Sequence, residues 1–260
     1  MSPESLESRL ALCVRDADGA LVNPGTGRVV SAIVPMHTFG HPCSMNEIKA
    51  IGEMYNLPVV EDAAESLGSW IGNRHTGTFG SLGVISFNGN KIVTTGGGGA
   101  VLTNDVALAD KLKHLTTTAK IPHAWEYAHD QIGYNYRMPN LNAALGCAQL
   151  AQLPDFIESK RRLTEIYADL FSDLDEITIM LEPDGCTSNY WLQTAILCEG
   201  IEGLKDELLK VANENGIGCR PAWRLISDLI PYKDCPRGSL TVAESLARRI
   251  INFPSSSGLA

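Results

Sequence analysis

The stretch that decides the fold is Val84-Ile85-Ser86-Phe87-Asn88-Gly89-Asn90-Lys91-Ile92-Val93-Thr94-Thr95-Gly96-Gly97-Gly98-Gly99-Ala100. One lysine, Lys91, lies between a short apolar run, which predicts a buried strand, and a run of four glycines. The glycines allow the backbone to pass close to whatever lies beside the lysine. A lysine kept partly dry there has a lowered pKa, and its amine becomes a nucleophile toward carbonyl groups. A solvated lysine at a strand end is the alternative, and this segment alone leaves both open.

A second segment, Leu57-Pro58-Val59-Val60-Glu61-Asp62-Ala63-Ala64-Glu65-Ser66, predicts a short strand that ends in an acid. In open α/β sheets, ligands bind beyond the carboxyl ends of the strands, which is where Asp62 lies. The small side chains of Ala63 and Ala64 leave room for a flat ring. Pyridoxal phosphate requires a carboxylate and an amine from neighbouring strand ends, because its pyridine nitrogen must stay protonated and its aldehyde is held as an imine. An ordinary helix cap at Asp62 is the alternative.

The motifs Val-Val-Glu-Asp-Ala-Ala-Glu, Ser-Phe-Asn-Gly-Asn-Lys and Thr-Thr-Gly-Gly-Gly-Gly occur here in that order. Together they resemble the sugar aminotransferases of the DegT/DnrJ/EryC1/StrS family. A third family motif is similar to Gly133-Tyr134-Asn135-Tyr136-Arg137-Met138-Pro139-Asn140-Leu141-Asn142-Ala143-Ala144-Leu145-Gly146. The asparagine before the lysine, and Arg220-Pro221-Ala222-Trp223, look most like the branch that makes amino sugars for legionaminic-acid-type or bacillosamine-type glycans. The resemblance extends from about Ile33 to the last residue.

The resemblance implies a role for each residue of the predicted site. Lys91 would hold pyridoxal phosphate as an imine and then move a proton between the cofactor and the substrate carbon. The other implied cofactor contacts are Asp62 with the pyridine nitrogen, Ala64 under the ring, Glu65 near the 3′-oxygen, and Ser86 and Asn135 with the phosphate. Asn135 would reach its phosphate across the interface of a homodimer. A core serine and an ordinary turn asparagine are the structural alternatives for the two phosphate ligands.

The resemblance also implies the architecture. We expect an α/β fold of the aspartate-aminotransferase type (fold type I), with a mainly parallel sheet, helices on both faces and a small C-terminal α+β domain. Residues 1–152 are assigned to a partial large domain that binds pyridoxal phosphate, 153–178 to a bridging helix and 179–260 to the small domain. Relatives carry a substantial N-terminal portion ahead of the strand that resembles Ser31–Pro35, so we expect this chain to lack that portion.

Local patterns predict individual elements. Strands over Ser31–Pro35 and Leu57–Glu61, with a helix between them, predict a β-α-β unit. Ser44 and Glu47 have the spacing of a capping box, in which each side chain satisfies a free backbone amide. A final helix is predicted over Thr241–Ile251.

Composition excludes several other classes of protein. The 260 residues carry a formal charge of -9, which argues against the basic surface that a nucleic-acid-binding protein needs. No apolar run is long enough for a membrane span, and we expect a cytoplasmic protein. The seven cysteines contain no Cys-x-x-Cys pair, and we predict no metal site.

The function that the resemblance implies is transfer of an amino group, with glutamate as the donor, to a nucleotide-linked keto-deoxy sugar. The product would serve cell-surface glycan or lipopolysaccharide biosynthesis. One alternative is a catalytically silent fragment that acts only by dimerisation or binding. Another is a sugar dehydratase, although relatives with that activity have histidine where Lys91 stands. Trp191 and Trp223 either border the substrate or belong to the core.

Overall fold

The computed structural model describes all residues, 1–260. Its α-helices are α1 (Pro3–Leu10), α2 (Met45–Tyr55), α3 (Val106–Thr116), α4 (Asn140–Ala151), α5 (Leu153–Leu170), α6 (Lys205–Glu214) and α7 (Thr241–Arg249). Its strands are β1 (Val14–Arg15), β2 (Leu21–Asn23), β3 (Arg28–Val29), β4 (Val60–Asp62), β5 (Trp70–Ile71), β6 (Arg74–His75), β7 (Leu82–Ser86), β8 (Gly99–Leu102), β9 (Ile177–Ile179), β10 (Cys186–Thr187), β11 (Gln193–Leu197), β12 (Arg220–Pro221) and β13 (Ile250–Phe253). None of the helices has both the length and the apolar composition that a membrane crossing requires.

The central sheet carries the predicted site. Strand β4 pairs in parallel with β7, and β7 pairs antiparallel with β8. The segment before α2 adds two parallel bridges to β4, Ile33 with Val59 and Met36 with Asp62. The predicted β-α-β unit is therefore present, although the strand predicted over Ser31–Pro35 is reduced to these bridges. The order of helices and strands confirms the predicted α/β class.

Helix α2 forms the main core because its apolar residues recur on one face. Met45, Ile48 and Ile51 are buried in a cluster with residues of α1, β2 and the central sheet. Full burial of each such side chain stabilises the fold by roughly 1.5–3 kcal/mol. The predicted capping box is wrong: the Ser44 side chain makes no capping hydrogen bond, because its backbone (φ -68°, ψ 69°) lacks the extended conformation of a typical N-cap.

The C-terminal part forms a second sheet with the order β12-β13-β11-β9, antiparallel throughout. Strand β13 follows α7 directly, so the helix predicted over Thr241–Ile251 ends at Arg249. Residues Ile250–Phe253 pair with Gln193–Ile196 of β11, and Ile251 is buried against Leu197. Pairing with a distant strand therefore overrides the helical pattern at these residues. The division of the chain into domains at 152 and 178 stays a prediction.

One face of the central sheet is open. Val84 of β7 and Val101 of β8 are exposed, and both line a cavity of about 1250 Å³. The opposite face of β7 is closed, since Ile85 is buried. Ala109, Leu112 and Lys113 of α3 also line this cavity, so it lies between that helix and the two strands.

Gly83 of β7 permits a close approach of two chain segments. It pairs with Glu61 of β4, and a Cβ built on it would lie 1.9 Å from the carbonyl oxygen of Gly77. We expect Gly83→Ala to lower the free energy of unfolding by about 2 kcal/mol or more, because the backbone of the 77–80 turn must move. Urea unfolding of both proteins measures this.

The matched control is Gly203→Ala, since a Cβ at Gly203 meets no atom within 4 Å. Its free energy of unfolding should stay within about 0.5 kcal/mol of the wild-type value. Equal stability of the Gly83 and Gly203 variants would contradict the tight approach at β7.

His41 is buried without a hydrogen-bond partner on either ring nitrogen, and its ring centroid lies 5.2 Å from that of Tyr190, with the two rings nearly perpendicular. Burial lowers the pKa of His41 from 6.5 to about 4, against the opposing charge of Glu182. The unfolded chain therefore binds the proton more readily, and the folded state loses stability as the pH falls from 6.5 toward 4.

We expect His41→Leu to remove about 2 kcal/mol of this acid-dependent loss of stability. Urea unfolding over this pH range tests it, with His123→Leu as the control because His123 is exposed. The same pH slope in wild type and the His41 variant would show that His41 is protonated equally in the folded and unfolded states.

Candidate active site

Lys91 lies in a tight turn after β7, where its backbone N–H donates to the carbonyl of Asn88 at 3.0 Å. The side chain is 12% exposed and ends between a carboxylate and an aromatic ring. Its Nζ lies 3.7 Å from Oε1 of Glu65 and 3.8 Å from the centroid of the Trp191 ring. The lysine is therefore not the solvated residue of the alternative interpretation.

Burial lowers the pKa of Lys91, while the carboxylates of Glu65 and Asp62 oppose the change. The net direction is downward, toward the neutral amine that attacks carbonyl carbon. The charge of Asp62 also acts on Glu65, so the three groups share one region. The structure thus brings the amine of Lys91 to Glu65, and the charge of Asp62 acts on both.

Asp62 is the last residue of β4, and backbone bonds hold it on both sides. Its N–H donates to Pro35 at 2.8 Å, and its carbonyl accepts the N–H of His37 at 3.1 Å. In the side chain, Oδ1 accepts the N–H of Ala64 at 3.1 Å and Oδ2 has no hydrogen-bond partner in the chain. A half-buried carboxylate with one free oxygen suits a protonated ring nitrogen.

The neighbouring Glu61 is fully buried, and it orders the strand end that carries Asp62. Its carboxylate accepts backbone N–H groups from Gly77 and Gly80, each at 2.7 Å, and also from Phe79. It also bonds Nε2 of the buried His37 at 3.1 Å. Nδ1 of that ring accepts the N–H of Cys43, so Nε2 carries the proton. Burial raises the pKa of Glu61, but these hydrogen bonds outweigh it and hold the pKa below its usual value.

Glu65 lies three residues after Asp62, in the loop that follows β4. Its Oε2 accepts the backbone N–H of Phe39 at 2.8 Å, while Oε1 faces Lys91. Burial raises the pKa of Glu65, against the N–H of Phe39 and the charge of Lys91. Glu65 therefore lies at the amine, and its assignment to the 3′-oxygen stays a prediction.

Ser86 and Asn135 lie apart from this group. Both line the open 1250 Å³ cavity beside the glycine run, together with Gly97 and Gly98. The hydroxyl of Ser86 accepts the N–H of Asn88 at 3.3 Å, which links it to the turn that carries Lys91. Asn135 is exposed and contacts none of the three charged groups. The two phosphate assignments stay predictions.

Sequence reasoning leaves Trp191 and Trp223 undecided between the substrate border and the core, and it misses Phe39. Trp191 is buried beside Lys91, and its ring stacks on Trp223 at 6.0 Å with an interplanar angle of 13°. Trp223 also stacks on Phe39 at 5.7 Å. No local pattern marks these residues, because they come from three separate segments. The tryptophans therefore border the predicted site.

The arrangement satisfies the chemistry of an imine-forming site. It holds the buried amine of Lys91, whose pKa is lowered, and the carboxylate of Asp62, which has one free oxygen. The small residues Ala63 and Ala64 directly follow Asp62. Such a set can bind an aldehyde covalently and keep a ring nitrogen protonated. No group of three or more potential metal ligands occurs in the structure.

Comparison with known proteins agrees with this arrangement. The model of the DegT/DnrJ/EryC1/StrS aminotransferase family matches residues 8–260. The chain is 37% identical to EpsN of Bacillus subtilis (strain 168), which is provisionally named a pyridoxal phosphate-dependent aminotransferase; the match covers 100% of this chain and 64% of EpsN. It is 38% identical to GDP-perosamine synthase of Escherichia coli O157:H7, over 86% of this chain and 60% of that protein.

A solved structure is similar over the whole chain. It is a DegT DnrJ EryC1 StrS aminotransferase from Brucella abortus, with a TM-score of 0.86 and 29% identity, and the match covers 100% of this chain and 66% of that one. The chain thus spans less than two thirds of the length of the curated relatives described above. Because the family model covers nearly all of its residues, the chain belongs to the DegT/DnrJ/EryC1/StrS aminotransferase family.

Proposed function

We propose that this chain carries the catalytic lysine of a pyridoxal phosphate-dependent aminotransferase that acts on a nucleotide-linked keto-sugar. The observation that carries the proposal is the contact of the buried Lys91 amine, whose pKa is lowered, with the carboxylate of Glu65 at 3.7 Å, within reach of the charge of Asp62. Membership of the family and similarity to EpsN support the cofactor.

When bound, pyridoxal phosphate supplies an electron sink for the carbon that loses a proton during amino-group transfer. The free Oδ2 of Asp62 would keep the ring nitrogen protonated. The neutral Nζ of Lys91 would attack the aldehyde carbon, and after release it would accept and return the proton. Ala64 would leave space for the ring, and Glu65 would lie near its 3′-oxygen.

The proposed acceptor is a keto-deoxy sugar attached to a nucleotide, and the proposed donor is glutamate. Similarity to GDP-perosamine synthase supports a nucleotide sugar as the substrate class. The asparagine before Lys91 and the Arg-Pro-Ala-Trp motif at 220–223 favour amino sugars of the legionaminic-acid or bacillosamine type. The product would then enter surface glycan or lipopolysaccharide synthesis.

We also propose that Ser86 and Asn135 bind the phosphate, with Asn135 supplied by the second subunit of a homodimer. Asn135 is exposed, so it is free to reach a neighbouring subunit. The loop before α4 and the start of that helix expose several large apolar side chains, which supports burial against a second copy. They are Trp125, Tyr127, Ile132, Tyr136, Leu141 and Leu145.

The proposal predicts that the protein mixed with pyridoxal phosphate develops the absorbance band of a lysine-bound cofactor near the visible edge. Lys91→Ala should abolish the band, because the amine is lost. Asp62→Asn should weaken cofactor binding by about tenfold or more, because a charged hydrogen bond to the ring nitrogen is replaced by a neutral one. Absorbance titration measures both.

Lys111→Ala is the control for the lysine variant, since Lys111 is exposed on α3 and lies outside the open cavity that holds Ser86 and Asn135. An unchanged band in Lys91→Ala would defeat the proposal. Adding glutamate to the loaded protein tests transfer itself: conversion of the band to that of the aminated cofactor supports an aminotransferase. A stable band that glutamate leaves unchanged would instead favour the catalytically silent alternative.

The proposed homodimer leads to a second prediction, which concerns its interface. Leu141, 86% exposed on α4, should become buried between subunits. We expect Leu141→Asp to weaken dimerisation at least tenfold, because a charge would be buried without a partner. Sedimentation velocity over a range of concentrations measures it, with Leu170→Asp as the control because Leu170 is 67% exposed at the end of α5. A wild-type protein that stays monomeric would contradict the shared site.

A further inference from the structure

Trp191 makes two contacts with the turn that carries Lys91. Its indole Nε1–H donates to the carbonyl of Asn90 at 2.8 Å, and the face of its ring lies 3.8 Å from Nζ of Lys91. The tryptophan is 4% exposed, so water does not compete for either contact. One side chain therefore fixes the backbone before the lysine and also the position of its amine.

Trp191 is itself held firmly in place. Its backbone N–H donates to Oδ1 of Asn189 at 2.8 Å, and the amide nitrogen of Asn189 donates to the carbonyls of Glu65 and Leu67, both at 2.9 Å. Gly40 lets this asparagine approach, because a Cβ there would lie 1.9 Å from Oδ1. The loop that carries Asp62 and Glu65 is thus tied to the indole that contacts Lys91.

We propose that Trp191 is a positioning residue for Lys91: it anchors the lysine turn through Asn90 and holds the amine against its ring face. This inference rests on the proposed function, in which Lys91 binds the cofactor. The ring face attracts the ammonium form, since an aromatic face is negative. Glu65 and Asp62 are the charged groups that also act on the amine, and both favour the same form.

The test measures the ionisation of Lys91 without cofactor. The protein is labelled with trace acetic anhydride at several pH values, and mass spectrometry follows the peptide that contains Lys91. The readout is the labelling rate near neutral pH divided by the plateau rate at high pH, so that changes in access cancel. For Trp191→Leu we expect this ratio to rise about two- to fivefold, because the ammonium loses its aromatic partner.

Two variants separate this role from simple packing. Trp191→Phe keeps a ring face but loses the N–H donor, so its ratio should stay close to the wild-type value and clearly below that of Trp191→Leu. Trp70→Leu makes the same change at a tryptophan that contacts His75 rather than Lys91, and it should leave the ratio unchanged. Thermal unfolding confirms that each variant is folded.

An unchanged ratio in folded Trp191→Leu would overturn the inference, and so would an equal rise in the leucine and phenylalanine variants. Failure of the proposed function is a separate result. In that case wild-type protein would form no lysine-bound cofactor band, while the labelling ratio of Lys91 would still respond to Trp191.

Discussion

A single buried carboxylate organises the region on which the rest of the structure depends. Glu61 accepts three backbone N–H groups from the 77–80 turn and bonds His37, which itself follows the bridge between Met36 and Asp62. Leaving such a buried group unpaired would cost several kcal/mol, so these segments hold one arrangement. Asp62, the next residue in the chain, is therefore held in a defined position at the end of β4.

The C-terminal part completes the site from the other side. Asn189 bonds the 65–67 loop, Trp191 bonds the lysine turn, and Ser69 and Ser188 both donate to the carbonyl of Gly40. The contacts of Ser188, Asn189 and Trp191 join segments that are more than 100 residues apart in the chain. The position of Lys91 therefore depends on folding of the second sheet, and not only on the sheet that carries it.

From the sequence alone, the reactive residues of the predicted site are easier to identify than the residues that surround them. Lys91 and Asp62 lie in long local motifs, and parallel pairing of β4 with β7 suffices to bring their strand ends together. The sequence left undecided whether Trp191 belongs to the core or borders the site, because its role depends on a contact with the distant Asn90. The predicted end of α7 was wrong. Ile250–Phe253 directly follow the helix in sequence, but they pair with strand β11 instead of continuing the helix. Local patterns do not contain such long-range pairings.

The chain offers one serious competitor to Lys91. Lys160 of α5 is also buried, and burial lowers its pKa to about 8. Its amine donates to the carbonyl of Ser255 and contacts no carboxylate. A lowered pKa therefore does not distinguish the two amines, whereas the contact of Lys91 with Glu65 at 3.7 Å does. The site is defined by the pairing of groups rather than by one perturbed residue.

The most direct measurement is to treat the protein with pyridoxal phosphate, reduce it with borohydride and map the modified peptides by mass spectrometry. The account predicts that the pyridoxyl group is found on Lys91, in near-stoichiometric amount and with little elsewhere. A label on Lys160, or one spread over the exposed lysines, would contradict it.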